Sequence, residues 1–378
     1  MKNFSLLFGV LCLAGIHEAF GQRSCGSTEY LIQQFEQDPA YKKRLSEIEE
    51  QTKSFQRNAL NVTPQVYTIR VVFHIVYNVN SPEQNVSDEQ IMTQLDILNK
   101  DFRRQNTDAD NHWVQAADTE IQFALATEDP QGNPTTGITR HATNETSFSY
   151  AQDKVKQDGY GTAGWNPEQY LNIWVCKISG NILGYATFPG GTPWRDGAVI
   201  TYTAFGTGGT ATAPFDLGRT ATHEIGHYFN LQHIWGDGGC GVDDEVADTP
   251  ESDGPNYDCN VGAVHCGTED MVANYMDYSD DACMNLFTAG QKSRMRALLA
   301  PGGAREGLLV NTEVTYRFVG PGTDWNNAAN WQAGGVPPAN YDGVIYIDSD
   351  CEKADGIEVI PPKQLMVQPA VYFQVTGN

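Results

Sequence analysis

Three histidines and one glutamate in residues 222–237 constrain the fold of this chain more than any other feature. The segment reads THEIGHYFNLQHIWGD. Because His223 and His227 are four residues apart, they project from one face of an α-helix, and both imidazoles can reach a single metal ion. Glu224 then lies beside that ion without ligating it, where it can deprotonate a metal-bound water. His233 can become a third ligand only if the helix ends and the chain turns back.

Asn230 is the predicted point of this turn. A residue that ends a helix in the left-handed region is usually Gly and next most often Asn, because few other side chains tolerate a positive φ. With 8 histidines in the chain, this spacing of one Glu and three His arises by chance roughly once in several thousand cases. The pattern resembles the zinc signature HExxHxxGxxH of the metzincin metallopeptidases, with Asn230 at the position of the usual Gly. The resemblance implies a zinc endopeptidase with one catalytic ion, held by His223, His227 and His233.

Two other interpretations of the motif stay open. A secreted interaction protein without activity could keep the metal site, but it would be free to lose Glu224, which is present. The second interpretation is a zinc peptidase from outside the metzincin branch, in which a distant glutamate, and not His233, is the third ligand. Zinc content that is unchanged in His233→Ala would support this last interpretation.

Length and charge limit the expected partners. A chain of 378 residues with 40% hydrophobic content can bury a full core and predicts more than one domain. The formal net charge of −23 repels nucleic acid and anionic lipid, so we expect neither nucleic acid nor membrane as a partner. The expected partners are protein or peptide substrates, and we expect a monomer.

Residues 1–21 read as a secretory signal peptide. Lys2 precedes an apolar run over residues 4–16, and small residues precede Gln22, as in a cleavable signal. The alternative, a membrane anchor, needs a run of about 20 apolar residues. We therefore expect a secreted protein, in which disulfides are permitted.

Residues 22–57 read as a pro-segment. They are polar, with a helical pattern over residues 29–48 and an irregular end over residues 51–57, which predicts a cleavable linker in which the enzyme could cut at Arg57. The alternative is a helix that stays docked on the catalytic domain.

Cys25 stands alone within this segment. A thiolate is a strong zinc ligand, so Cys25 could occupy the open coordination position and keep the enzyme latent, while Gly26 lets the backbone approach closely. The alternatives are a disulfide with Cys176 or Cys351 and a bridge between two chains.

Hydrophobic patterns predict a layer of strands and helices before the zinc motif. The β-branched and aromatic run over residues 66–77 reads as a central strand, in which His74 is interpreted as packed rather than catalytic. Ser87 and Gln90 form a capping box that starts a helix of about four turns. Further strands are predicted over residues 121–126, 170–178, 182–188 and 197–205. Residues 182–188 read as an edge strand, to which a peptide substrate can add as an antiparallel strand.

Four cysteines, Cys240, Cys259, Cys266 and Cys283, follow the third histidine. None belongs to a Cys-x-x-Cys pair, so two disulfides are a better interpretation than a zinc knuckle. Four cysteines allow three pairings. The spacing does not choose among them.

A second motif, NYMDY at residues 274–278, extends the resemblance. Metzincins place a methionine in a tight turn below the zinc histidines, and Met276 looks like that residue. Other shared motifs are HIWGD at 233–237, ADTP at 247–250 and DACMNLFTAGQ at 281–291. Residues 60–302 thus resemble the pappalysin family of metzincins. The resemblance implies that Tyr278 lies near the zinc, where it could donate a hydrogen bond to the oxyanion.

The fold class and the disulfides follow from the same resemblance. It implies an α+β chain with a metzincin-type catalytic domain over residues 58–303. That domain would contain a twisted mixed sheet with packed helices, a zinc helix and an irregular lower half stapled by disulfides. The implied bridges are Cys240 to Cys266 and Cys259 to Cys283.

Two acidic clusters are further candidates. Asp243, Asp244, Asp248 and Thr249 offer hard oxygen ligands that suit calcium, as the resemblance also implies, or they form a solvated acidic loop.

Asp280 and Asp281 follow Met276, in the segment that walls the pocket for the residue after the cleaved bond in metzincins. An unpaired carboxylate there would favour Arg or Lys at that position. The alternatives are that either aspartate binds calcium or caps a helix.

The sequence pattern changes after the last predicted helix. Thr288 and Gln291 cap a last helix that ends near residues 301–303. Residues 311–378 show short strands between Gly, Pro and Asn turns, which predicts a β-rich module of limited length.

Overall fold

The structure, a computed structural model, describes residues 21–58, 65–309, 316–331, 336–337, 344–353, 364–367 and 372–375. The helices and strands, in chain order, are α1 Ser27–Gln37, α2 Pro39–Asn58, β1 Tyr67–Asn78, α3 Asp88–Phe102, β2 Ile121–Leu125, β3 Ile138–Thr143, β4 Leu171–Cys176, β5 Gly184–Ala186, β6 Ala198–Thr201, α4 Arg219–Tyr228, β7 Val264–His265, β8 Thr268–Glu269, α5 Ala289–Leu299, β9 Tyr316–Phe318, β10 Val344–Ile347, β11 Cys351–Lys353, β12 Gln364–Val367 and β13 Phe373–Val375. The predicted signal peptide, residues 1–21, lies almost wholly outside the described residues.

A mixed sheet of six strands, in the order β2-β1-β4-β6-β5, forms the frame of the molecule, and β3 also pairs with β1. The run of β-branched and aromatic residues in β1 makes it the central strand, as predicted. β2, β3 and β4 all pair with β1 in parallel. β5 pairs antiparallel with β6 and forms one edge, which confirms the predicted edge strand. β3 was not predicted.

The two faces of the sheet bury separate clusters because side chains alternate along each strand. Ile173 and Val175 of β4 point to the large core shared with α3, α4 and α5. Trp174 points to the other face, where a second core contains Tyr185 of β5 and Tyr30 of α1. The zinc-motif helix α4 and the N-terminal helix α1 therefore lie on opposite faces, near the same edge.

Local signals fix the ends of the helices that carry the site. The Ser87 side chain accepts a hydrogen bond from Gln90 N at the start of α3, and Thr288 and Gln291 form a complete capping box on α5. α4 ends at Tyr228, and Asn230 follows with φ of 66°. This left-handed residue turns the chain back, as the sequence predicts.

The segment 51–57 differs from its prediction. We expected an irregular, cleavable linker, but these residues continue α2 to Asn58. Glu49 explains why the helix is held: its carboxylate forms two hydrogen bonds of 2.8 Å with the guanidinium of Arg294 on α5. This bidentate ion pair holds α2 against α5 and so stabilises the helical conformation of the following residues.

Two disulfides hold the irregular region after the third histidine. They join Cys240 to Cys266 and Cys259 to Cys283, the same pairs that the resemblance implies. Among the described residues, Cys25, Cys176 and Cys351 are free and buried. Cys25 therefore forms neither of the intramolecular bridges that were its alternatives.

The described parts of residues 316–375 form short parallel pairs. β10 pairs with β9 and β12, and β11 pairs with β13. A small core contains Phe318, Trp325, Trp331, Ile345 and Ile347. No helix in the described ranges has the length and apolar character needed to cross a membrane.

Candidate active site

The three motif histidines converge on one point. α4 carries His223 and His227, and the turn at Asn230 returns His233 to them. The Nδ1 atom of each histidine contacts an acceptor. For His223 it is the carbonyl of Tyr275 at 2.7 Å, and for His227 it is the carbonyl of Leu231 at 2.8 Å. For His233 it is the carboxylate of Asp237 at 2.5 Å. These acceptors require a proton on every Nδ1, so in the neutral rings every Nε2 presents a lone pair.

The distances between these nitrogens fit a bound cation. Nε2 of His227 lies 3.2 Å from Nε2 of His223 and 3.1 Å from Nε2 of His233. No proton is available between them, and three lone pairs this close would repel one another unless a cation lay at their centre. A tetrahedral zinc ion with Zn–N bonds of about 2.0–2.1 Å places its ligands about 3.3 Å apart. The residues present therefore fit zinc.

Cys25 completes the donor set. Its sulfur lies with the three histidine nitrogens in one buried cluster whose ligand atoms are all within 4.8 Å of one another. The backbone holds it there, since Gly26 N donates to Gly184 O and Leu183 N donates to Ser24 O, both at 2.9 Å. The N-terminal segment thus lies along β5 in parallel, the opposite direction to the antiparallel one expected of a substrate.

Glu224 lies beside the donor cluster and is blocked. Its carboxylate accepts a hydrogen bond of 2.7 Å from the Ser27 hydroxyl and lies 3.4 Å from the Cys25 sulfur. Burial raises the pKa of Glu224 to about 7. Gly184 makes room for it, because a Cβ at that position would lie 2.6 Å from Glu224 Cγ. The N-terminal segment therefore places a fourth donor, the Cys25 sulfur, beside the three histidine nitrogens and a hydroxyl group on the Glu224 carboxylate.

Met276 and Tyr278 both pack against the zinc motif. Met276 is fully buried and lies under α4, where a Cβ at Gly226 would be 2.3 Å from its sulfur. The Tyr278 ring packs edge-to-face on His233 at 5.0 Å. The Tyr278 hydroxyl accepts a hydrogen bond of 3.3 Å from Cys25 N. Tyr278 therefore reaches the place where a peptide group crosses the site.

The two candidate pocket aspartates differ. Asp281 is fully buried and is not unpaired, because Arg23 of the N-terminal segment lies 2.5 Å from it. It also accepts hydrogen bonds from Leu217 N and Arg219 N, just before and at the start of α4. Asp280 is half-buried, and this burial raises its pKa. The structure thus brings Asp281, and not Asp280, into direct contact with a basic side chain.

The candidate calcium residues are only partly brought together. Asp244 accepts hydrogen bonds from the Thr249 hydroxyl at 2.9 and 3.0 Å. Asp248 points elsewhere, because it accepts from Thr288 Oγ1 and Gly290 N and so caps α5. Asp243 accepts from Glu245 N at 2.5 Å.

Three contributors were missed from the sequence. Asp237 orients His233, and its position four residues after the histidine was a usable signal. Trp235 stacks on His233 at 4.4 Å. Ser27 bonds Glu224 across 197 positions, a contact that no local pattern shows.

Comparisons with known proteins agree with this geometry. The sequence profile of the Peptidase M43 family, described as Pregnancy-associated plasma protein-A, matches residues 150–300. Extracellular metalloprotease 1 of Coccidioides posadasii (strain C735) is 32% identical over 247 residues, which are 61% of this chain and 76% of that protein. A promirolysin mutant from Tannerella forsythia is 43% identical, with a TM-score of 0.70, over 76% of this chain and 97% of the other. Mature mirolysin in complex with a cleaved peptide is 45% identical, with a TM-score of 0.63, over 66% of this chain and 97% of the other.

Proposed function

Since this chain belongs to the pappalysin family, Peptidase M43, and is therefore a metalloprotease, we propose that it is a secreted zinc endopeptidase made as a latent zymogen. The observation that carries the proposal is the cluster of three Nε2 lone pairs beside Glu224, at the end of the edge strand β5. Secretion is supported by the relative from Coccidioides posadasii, which is called an extracellular metalloprotease.

The proposed mechanism assigns the proton transfers to Glu224. The chemistry that zinc supplies when bound is Lewis-acid catalysis, through a lowered pKa of a nearby water and a polarised carbonyl. Glu224 takes the proton of the attacking water and passes it to the leaving amine. Tyr278 donates a hydrogen bond to the oxyanion. This role is supported by its hydroxyl, which meets the peptide group of Cys25 in the latent form.

We propose a preference for Arg or Lys immediately after the cleaved bond. Arg23 supports it, since its guanidinium donates to Asp281 at 2.5 Å in a buried pocket. A buried carboxylate without a cation is costly, so a substrate that brings one is favoured. Asp281→Asn should therefore reduce cleavage before Arg more than cleavage before Leu.

We propose that residues 22–57 are a removable pro-segment that precedes a catalytic domain ending near residue 303. Cys25 supports latency by filling the ligand position, and Ser27 supports it by occupying Glu224. The solved promirolysin covers one tenth more of this chain than mature mirolysin does, which is about the size of this segment. Because residues 51–57 are helical, cleavage at Arg57 requires the end of α2 to unfold locally.

Calcium is a further proposed ligand, bound near Asp244 and Thr249. Asp244 is only 4% exposed, and its described hydrogen-bond partners, Thr249 and Val246 N, are neutral. A buried carboxylate of this kind suits a hard cation. Asp243 and Asp248 would have to exchange their present partners to join it.

The test is a Glu224→Ala variant, with zinc content and peptide hydrolysis both measured. We expect full zinc occupancy and a loss of about 10²–10⁴-fold in kcat, the usual contribution of a general base. Asp158→Asn, a carboxylate change at an exposed loop residue, is the matched control. Substantial turnover by a zinc-loaded Glu224→Ala sample would exclude this mechanism. Zinc binding without hydrolysis by the processed wild type would favour the alternative, an inactive interaction protein.

A further inference from the structure

Tyr30 of α1 fills a socket that belongs to the rest of the protein. It is fully buried, and its hydroxyl donates to the carboxylate of Asp153. Lys156 Nζ lies 3.2 Å from the same hydroxyl and 5.0 Å from the ring centroid. Tyr185 packs edge-to-face on the ring at 5.0 Å. The socket thus contacts the ring of Tyr30 through Lys156 and Tyr185, and its hydroxyl through Asp153 and Lys156.

The socket does not depend on Tyr30 for its shape. Tyr185 Oη donates to the other oxygen of Asp153 at 2.9 Å, and Lys156 Nζ donates to Arg195 O at 2.6 Å. Trp174 lies under the same ammonium at 5.3 Å. Trp174 and Tyr185 belong to the core on this face of the sheet, and Asp153 and Lys156 are buried beside them. When the pro-segment leaves, a preformed cavity with a buried ion pair stays behind.

The mouth of the socket opens at the strand where a substrate binds. Tyr185 lies in β5 between Gly184, which bonds Gly26, and Ala186, whose N donates to Ser27 Oγ at 2.8 Å. A Cβ at Gly26 would point at Tyr185 and at Tyr150, 3.5 and 3.2 Å away. A side chain on this face of an added strand is therefore directed towards the socket.

We propose that the vacated socket is a subsite for a substrate tyrosine at the third or fourth residue before the cleaved bond; this rests on the proposed function. The pro-segment runs parallel to β5, whereas a substrate is expected to run antiparallel to it. The substrate residues before the cleaved bond would therefore lie where the pro-segment residues after Cys25 lie. From Cys25 to Tyr30 the segment advances about 11 Å, two extended and three helical steps. An extended substrate covers about 11 Å in three to four residues.

The ligand is a phenol and not any aromatic ring. Burial of the ring gives a gain that Phe and Tyr share, whereas the hydroxyl satisfies the Asp153 carboxylate. Phe would leave that carboxylate and the Lys156 ammonium short of one partner inside a dry cavity, which is the situation that gives hydroxyl-reading sites their selectivity.

The experiment measures kcat/KM of the processed protein, which is expressed as the full chain and whose new N-terminus is checked by mass spectrometry. The substrates are peptides with Arg after the cleaved bond and with Ala, Phe or Tyr at the second to fourth residue before it. We expect Tyr to exceed Phe by about tenfold or more at the third or fourth residue. Asp153→Asn should bring this ratio close to one, and Asp158→Asn, a matched change outside the socket, should keep it.

The outcomes separate the subsite from the proposed function. Cleavage of the Ala peptides without a Tyr preference in the wild type overturns the subsite alone, whether or not Asp153→Asn folds. A Tyr preference that Asp153→Asn retains also overturns it. No cleavage of any peptide by the zinc-loaded processed chain overturns both proposals.

Discussion

Two residues of the N-terminal segment, two positions apart, contact different parts of the site. Cys25 offers its sulfur to the histidine cluster, and Ser27 bonds the carboxylate of Glu224 at 2.7 Å. The same turn of chain therefore contacts both the candidate ligand cluster and the candidate base.

Cys25→Ala in the full chain should give a precursor that is active before processing and that matures faster than the wild type. We expect activity at least about tenfold above that of the unprocessed wild type, because even the partners of zinc ligands change affinity by about 10–100-fold. Hydrolysis of an Arg-containing peptide is followed together with processing on a gel.

The matched control for this prediction is Cys351→Ala, which removes a buried free thiol far along the chain. It should stay latent until processing. A Cys25→Ala precursor as inert as the unprocessed wild type would assign the block to Ser27 or to another part of the segment.

Residue identities were predictable where the chemistry is local. The candidate ligands His223 and His227 follow from helical spacing, and the positive φ of Asn230 follows from its residue type. Ser27 was not predictable, because its partner lies 197 positions away and a serine offers no distinctive pattern. Asp281 was predicted as a pocket wall, but its role in holding the start of α4 depends on tertiary packing.

Helices and strands were predicted well where they carry a strong local sequence pattern. They were predicted poorly where contacts with another element determine their position or length. β1 and α3 carry strong periodic or capping signals, and both appear as expected. β3 is only partly buried, so its hydrophobic pattern is weak and its position is fixed by pairing with β1. α2 extends through residues 51–57 because α5 supplies a partner for it.

The hairpin of β7 and β8 gives a prediction about pH. A hydrogen bond with Asp270 raises the pKa of His265, and Asp253 lies 3.6 Å from the same ring. Because the folded state favours the protonated ring, this pair stabilises the fold below the ordinary pKa of about 6.5 and loses that effect as the pH rises through the raised value. The free energy of unfolding of His265→Gln should therefore fall further below the wild type at about pH 5 than at about pH 9.

Chemical denaturation in the Glu224→Ala background, which avoids self-digestion, measures this difference. The same substitution made together with Asp270→Asn is the control, since the pair is then already absent. An equal loss at both pH values would show that His265 stabilises the hairpin by packing alone.

At the scale of the molecule, the proposed calcium predicts a stability that depends on the ion. A ligand present at about 100 times its Kd stabilises by about 2.7 kcal/mol, which corresponds to about 5–10 °C in Tm for a domain of this size. A calcium-selective chelator should lower the Tm of the Glu224→Ala protein by that amount, and Asp244→Asn should remove the effect. An unchanged Tm in the chelator would identify residues 243–249 as an ordinary acidic loop.

The parallel contact between the N-terminal segment and β5 also bears on how the chain stays soluble. β5 ends the sheet, and an uncovered edge offers N–H and C=O groups to the strands of other molecules. Ser24 and Gly26 satisfy two of these groups from within the chain. A protein expressed without the segment would have to fold with this edge uncovered, so we expect more aggregation during its folding than during folding of the full chain.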